Sequence, residues 1–211
     1  MGRSRFLPRQ PINYGKVVDM KEHIMGRAAA VIARELLSGR NVTAVRTEKL
    51  NISGPELRNK KKFLSFLRKK HLTNPKKGPF HFRSPRMMFR RVIRGMLPHD
   101  KRGQAALARL RVFEGVPKFL ISEGRRSCIP NCLRPTRLGT TRKYAVLGNI
   151  SSTVGWNLGP VVAKYEQGRI AEGETWFKTK KEQLEKEKKA FAAADKQMKP
   201  DQLALLRKFG Y

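Results

Sequence analysis

The sequence predicts an α/β fold in which a mostly parallel sheet of about four strands lies between helices in a three-layer α/β/α core. Two β-branched runs, residues 16–20 and 41–46, flank a segment at residues 24–38 whose apolar residues recur at helical spacing. Gly39 follows that segment and is typical of a helix end. A strand, a helix and a second strand in this order predict a parallel βαβ unit with a right-handed crossover.

The later elements follow from similar patterns. Residues 51–54 indicate a turn or a brief strand, and Pro55 favours the start of a helix over residues 55–71. The apolar residues of that helix share one predicted packing side: Leu57, Phe63, Leu64 and Leu67. The remaining predicted elements are a helix from about Ser84, a short helix at 103–110, a final core strand at 112–114, a helix at 144–154 and a helix-rich tail from about 161.

The charge of the chain is strongly one-sided. Lys and Arg number 47 against 16 Asp and Glu, which gives a formal net charge of +31 on 211 residues. A field of one sign and this size favours a polyanionic partner, and nucleic acid is the first candidate. An anionic membrane is the second, but no apolar run reaches the roughly 18 residues of a spanning helix and no signal-peptide pattern begins the chain. We therefore expect a soluble, intracellular protein that binds nucleic acid.

Nearly half of the net charge lies in residues 58–102, called the basic segment below, which contains 16 Lys or Arg and one acid, Asp100. Its cations recur opposite the apolar faces of predicted helices, an arrangement that holds them in place for phosphate contact. A solvated face usually mixes Lys with Glu, and this segment lacks Glu. The predicted RNA-binding residues are Arg58, Lys61, Lys62, Arg68, Lys69, Lys76, Lys77, Phe80, His81, Arg83, Arg86, Arg90, Arg94, His99, Lys101 and Arg102.

Aromatic and basic side chains alternate within residues 76–83, in a predicted loop. Phe80 and Phe82 either stack on unpaired bases or fill the core while His81 faces outward. The sequence favours core filling.

Motifs for catalysis are missing from the sequence. It contains no P-loop, no GxGxxG after the first predicted strand and no GxSxG elbow, so neither an enzyme nor a cofactor is predicted. Cys128 and Cys132 provide two thiols where a structural zinc site needs four ligands, and we expect free thiols and no metal. Asp19, which ends the first predicted strand, is expected to cap the following turn.

Five short segments, spread over about residues 14–120, carry motifs that can be compared with those of known families. They are residues 17–19, 25–29, 51–54, 78–83 and 94–107, and the most specific is the Gly-Met-Leu-Pro block at 95–98. Together they resemble the universal large-subunit ribosomal protein family thirteen, in its eukaryotic and archaeal form (thirteen-a). The resemblance implies an α/β core and binding of ribosomal RNA without catalysis, with the basic segment and residues 95–103 on that RNA. The arm before Tyr14 departs from the family pattern, and residues 118–143 and the chain beyond 168 match it weakly.

The predicted organisation has four parts. Residues 1–13 form an extended basic arm, 14–120 the α/β RNA-binding core, 121–143 an irregular basic extension and 144–211 a C-terminal helical extension. We expect a structural protein of the large (60S-type) cytoplasmic ribosomal subunit that binds rRNA and neighbouring ribosomal proteins, with nucleolar assembly if the source is eukaryotic. The alternative for part of the pool is a translational regulator that binds messenger RNA away from the ribosome.

Overall fold

The computed structural model describes residues 15–122 and 126–197, together with residues 205, 208 and 209. The predicted arm, residues 1–13, lies outside the described residues. The chain divides into two compact units, one that ends at Ala163 and one that begins at Lys164. Among the described helices, none combines the length and the apolar character needed to cross a bilayer.

The helices and strands are numbered separately in chain order. They are β1 (Lys16–Asp19), α1 (Met25–Leu37), β2 (Val42–Val45), β3 (Asn51–Ser53), α2 (Glu56–Leu67), α3 (Pro85–Met96), α4 (Lys101–Ala108), β4 (Leu110–Val112), α5 (Lys118–Ser122), α6 (Arg134–Arg137), β5 (Tyr144–Val146), α7 (Leu147–Thr153) and α8 (Gly159–Gln197). Short 3₁₀ turns lie at Thr47–Lys49, Pro75–Lys77 and Pro130–Cys132.

The central sheet is parallel and has the strand order β1-β2-β4. Val18 of β1 lies opposite Ala44 of β2, and Ala44 lies opposite Val112 of β4. The α/β class and the parallel β1-α1-β2 unit are therefore confirmed. The sheet has three strands in the described part of the chain and not about four, because the edge beyond β1 is occupied by a single bridge to Ser127.

The core lies mainly on one face of this sheet. Successive residues of a strand point to opposite faces, so Val42 and Ala44 share the face that α1, α3 and α4 cover. The helices contribute buried side chains to the same cluster: Ala28, Ala29, Ile32, Leu36, Phe89, Ile93 and Ala106. Thr43 and Val45 are also fully buried. The second face of β2 is therefore covered as well, as expected of a central parallel strand.

Three predicted elements differ from the observed ones. The last core strand is β4 at Leu110–Val112 rather than residues 112–114, because α4 already begins at Lys101 and ends at Ala108. Residues 144–154 form a strand and then a helix, since β5 pairs antiparallel with β3 before α7 begins. In α2 the predicted packing side is largely open: Leu57 is 63% exposed, and the buried residue is Asn59.

The first compact unit continues past residue 120, where the core was predicted to end. The Ser127 N–H donates to the Val17 carbonyl at 2.9 Å, and the Ile24 N–H donates to the Cys132 carbonyl at 2.8 Å. Leu147, Ile150 and Ser151 of α7 are also buried. Ser127 and Cys132, in the predicted irregular extension, are therefore hydrogen-bonded to β1 and to the start of α1. Residues 144–163 belong to the same compact unit.

Candidate nucleic-acid interface

The sixteen predicted RNA-binding residues lie on the surface of the first compact unit. Fourteen of them are exposed, and His81 and Arg90 are half-buried. Within the described chain, no cation of the basic segment lies within 4.0 Å of a carboxylate oxygen. Their positive charge is therefore not neutralised by the fold and remains available to an anionic partner.

The N-terminus of α2 is fixed by a buried amide. Asn59 Nδ2 lies 3.2–3.3 Å from the carbonyl oxygens of Ser53, Gly54 and Pro55. Its two N–H groups are shared among these three acceptors and tie the first turn of α2 to the end of β3. The cations of α2 therefore project from a helix whose start is rigidly anchored, although its far side packs little.

Local hydrogen bonds shape the loop between α2 and α3. The Asn74 side chain accepts from the Lys76 N–H at 3.1 Å and caps the turn Pro75–Lys77. His71 Nδ1 accepts from the Asn74 N–H at 3.1 Å. Lys76 and Lys77 are exposed on this turn, so the loop presents them from a defined backbone conformation.

The aromatic residues of this loop have the opposite orientation to the one that the sequence favoured. Phe80 is 77% exposed and Phe82 is 57% exposed, so the prediction that they fill the core is wrong. His81 turns inward instead and packs edge-on against Phe66, with ring centroids 4.4 Å apart. The imidazole occupies the inner position because the Phe66 ring supplies an aromatic partner there, and both phenylalanine rings are left at the surface.

Arg91 completes this aromatic contact. Its guanidinium carbon lies 3.4 Å from the centroid of the Phe66 ring, which is a close cation–π geometry. Phe66 therefore carries His81 against its ring and Arg91 over its face. This contact holds the end of α2, the loop and α3 together.

A cavity of about 720 Å³ opens between the loop and α3, and we call it the arginine–phenylalanine groove. It is lined by three arginines, three phenylalanines and four further residues: Arg90, Arg91, Arg94, Phe66, Phe80, Phe82, Pro79, Met87, Gln104 and Leu107. Guanidinium groups bind phosphate oxygens, and exposed ring faces stack on bases without sequence preference. The groove therefore offers both kinds of contact that an unpaired nucleotide needs.

The structure gathers some of the predicted residues and leaves others apart. Phe80, Arg90 and Arg94 meet in the groove, whereas Lys62 lines a neighbouring, largely apolar cavity of about 560 Å³ between α2, α3 and α7, which shares Phe66, Phe82, Met87 and Arg91 with the groove. Arg86 lines a third cavity of about 390 Å³ beside β4 together with Arg90, whose Nη1 also donates to the Leu110 carbonyl at 3.3 Å. Eleven predicted residues line none of these cavities. His81 is half-buried against Phe66, and the other ten are exposed elsewhere on the same unit: Arg58, Lys61, Arg68, Lys69, Lys76, Lys77, Arg83, His99, Lys101 and Arg102.

Sequence reasoning missed Phe66 and Arg91 of the groove, and it considered Phe82 for base stacking without including it among the predicted RNA-binding residues. Arg91 falls between two rows of a helical wheel, and its aromatic partner is 25 residues earlier in the chain. The only sequence signal for Arg91 was that it is adjacent to Arg90, a predicted RNA-binding residue. The contact between α2 and α3 was needed to show that Arg91, and not Arg90, lies over the Phe66 ring.

The two cysteines were the candidate metal ligands of the sequence. Cys132 is buried, and burial raises the pKa of its thiol, while Cys128 is exposed; both are free. Among residues 15–122 and 126–197, no three His, Cys, Asp or Glu side chains lie close enough to hold a metal ion.

Asp19 supports the turn after β1, as predicted, and also forms an ion pair. Its Oδ1 accepts from the Lys21 N–H at 3.1 Å and from Arg46 Nε at 2.9 Å, and Arg46 Nη2 donates to Oδ2. Burial alone would raise the pKa of Asp19, but the hydrogen bonds from Arg46 and Lys21 hold it below its ordinary value.

Comparison with known proteins gives two findings. The sequence profile of the family described as "Ribosomal protein L13" matches residues 15–118. The chain is 48% identical over 156 residues to the large ribosomal subunit protein uL13 of Drosophila melanogaster, an alignment that covers 74% of this chain and 76% of that protein. The whole basic segment falls inside the matched region.

Proposed function

Because this chain belongs to the ribosomal protein L13 family, we propose that it is a structural component of the large subunit of cytoplasmic ribosomes and that its basic segment binds and braces large-subunit rRNA. The role needs no turnover and no cofactor. Cations that are held by helices neutralise phosphates where rRNA strands pack closely, so the protein supports subunit assembly and translation. If the source is eukaryotic, the protein joins the subunit in the nucleolus.

The arginine–phenylalanine groove carries this proposal. Three guanidinium groups and two exposed rings line one cavity, and the surrounding basic segment has a net charge of +15. A duplex would engage the cations through its phosphates, whereas the rings favour a loop or bulge with an unpaired base. We therefore infer that the groove binds an unpaired nucleotide of rRNA and that the cations around it bind the flanking backbone.

The location of the protein is tested by sedimentation of a cell extract. Nearly all copies are expected with large subunits and polysomes. A mostly free pool would contradict the structural role and favour the alternative regulator that binds messenger RNA.

The groove is tested by two single variants of the full chain, Phe80→Ala and Leu72→Ala. Leu72 is almost fully exposed in the same loop and lines no groove, so it is the matched control. Loss of a stacked base weakens RNA binding by about 1–3 kcal/mol, which is roughly 5- to 150-fold, with little change in melting temperature. Equal RNA affinity of the two variants would contradict base stacking in the groove.

A further inference from the structure

The part of α8 in the second unit exposes large apolar side chains that the rRNA-binding role does not use. Ile170, Phe177, Leu184 and Phe191 are each between 45% and 70% exposed, and they follow one another at intervals of seven residues. We call these four residues the heptad stripe. Exposed single apolar residues are ordinary, but four at one spacing form a surface that favours a partner.

The spacing defines the shape of that partner. On an α-helix, residues seven apart lie about 20° from one another, so the stripe is continuous and turns slowly around α8. It extends over about 32 Å at 1.5 Å per residue and spans three heptads. A second helix that winds around α8 with a slight left-handed supercoil can contact every member of such a stripe. A flat sheet can contact only part of it.

The charge around the stripe separates this surface from the basic segment. Residues 170–197 contain seven Lys and six Asp or Glu, a net charge of +1. A surface that is nearly neutral does not attract rRNA phosphates as the basic segment does. A second copy of the chain is also disfavoured, because two chains that each carry +31 repel one another.

The residues beside the stripe indicate the chemistry of the partner. Lys181 and Lys188 follow Phe177 and Leu184 by four residues and so lie on the same face of α8. Lys181 has one intrahelical carboxylate, Glu185, at 4.0 Å, and both residues are more than half exposed. Acidic residues on a docked helix would therefore meet cations next to the centre of the stripe.

We propose that the heptad stripe binds an amphipathic α-helix of a neighbouring large-subunit protein, with apolar residues at seven-residue spacing and acidic residues that face Lys181 and Lys188. The proposal rests on the proposed function for the location of that neighbour. It adds a protein contact to a chain whose central surface binds RNA.

The partner is identified by photo-crosslinking in purified large subunits. Full-length chains carry benzoylphenylalanine at position 177 or, as a control, at position 176. Trp176 is exposed to a similar extent as Phe177 but points about 100° away around the helix. Position 177 is expected to crosslink to one helical segment with the stated pattern, at a yield at least about tenfold above that of position 176. Crosslinks from position 177 to rRNA only, or equal yields from the two positions, would overturn the proposal.

Substitution gives an independent measurement. In Phe177→Gln/Leu184→Gln subunits, retention of the crosslinked protein after a high-salt wash is expected to fall at least tenfold, since burial of one such side chain is worth about one factor of ten or more. Trp176→Gln should leave it unchanged, and unchanged retention in the double variant would overturn the proposal. Failure of the proposed function has a different outcome, because the unmodified chain itself would then be missing from the large-subunit peak.

Discussion

The charge of the basic segment predicts how steeply RNA binding depends on salt. Arg68, Lys69 and Lys76 are exposed and lie within 4.0 Å of no described carboxylate, so Gln at these three positions removes charge and leaves the internal contacts intact. The matched control removes three charges from α8 by replacing Lys178, Lys186 and Lys189 with Gln, at exposed positions that are not part of the heptad stripe. Both variants have the same net charge.

The expected magnitude follows from counterion release. If roughly ten of the sixteen cations contact phosphates, the slope of log affinity against log salt is about −7 to −9, depending on the form of the nucleic acid. Loss of three contacts makes that slope shallower by about 2 to 3. The α8 variant should keep the slope of the unmodified chain, because positive and negative charges are mixed around its substituted residues and residues 170–197 carry a net charge of only +1.

Binding is measured with the full chain at several potassium chloride concentrations, on the large-subunit rRNA fragment that crosslinks to it in intact subunits. Thermal unfolding of each variant is recorded in parallel and should be unchanged. A slope near −2 for the unmodified chain would refute phosphate binding by the basic segment. An equal change of slope in both variants would show that total charge, and not its position, governs binding.

Three further predictions concern stability. A Cβ at Gly103 would lie 1.9 Å from the Pro98 carbonyl oxygen, whereas one at Gly95 would meet nothing within 4 Å; chemical denaturation should therefore show Gly103→Ala destabilised by about 1–3 kcal/mol and Gly95→Ala equal or slightly more stable. Because the folded pKa of Asp19 is lowered, its contribution is present above the unfolded value of 3.8 and is lost as pH falls through the folded value. Asp19→Asn should thus be less stable at neutral pH and lose less stability on acidification, and parallel pH profiles of the two chains would contradict this. His23 Nε2 accepts from the Ile129 N–H at 2.9 Å, so His23→Leu should cost about 1–3 kcal/mol and speed amide exchange at Ile129; unchanged exchange would exclude the link.

The predictable part of the fold is the part that is local in sequence. The β1-α1-β2 unit was predicted because its strands, helix and terminating glycine each carry a pattern within a few residues. β5 was not predicted, because its three residues have little pattern of their own and become a strand by pairing with β3, more than ninety residues earlier. The position of β4 was shifted for a related reason, since the start of α4 is fixed by a packed turn at Gly103.

The candidate site shows the same division. Charge and composition located the basic segment, and the exposure of Arg86 and Arg94 follows from the amphipathic pattern of α3, in which Phe89 and Ile93 are buried. The predicted orientation of Phe80 and His81 was wrong, because the observed one depends on Phe66, an aromatic residue of α2 that lies outside the loop. Arg91 was missed for the same physical reason.

The hydrogen bonds between Ser127 and β1 cannot form in a newly made chain until Ser127 has been synthesised. The backbone groups of Val17 and Asp19 that bond to Ser127 leave the site of synthesis more than a hundred residues before it does, and at 5–20 residues per second the delay is roughly 5–20 s. The basic segment, with its charge of +15, emerges during this interval. Each new copy therefore exposes its cations for several seconds before the sheet that supports them is closed at its edge.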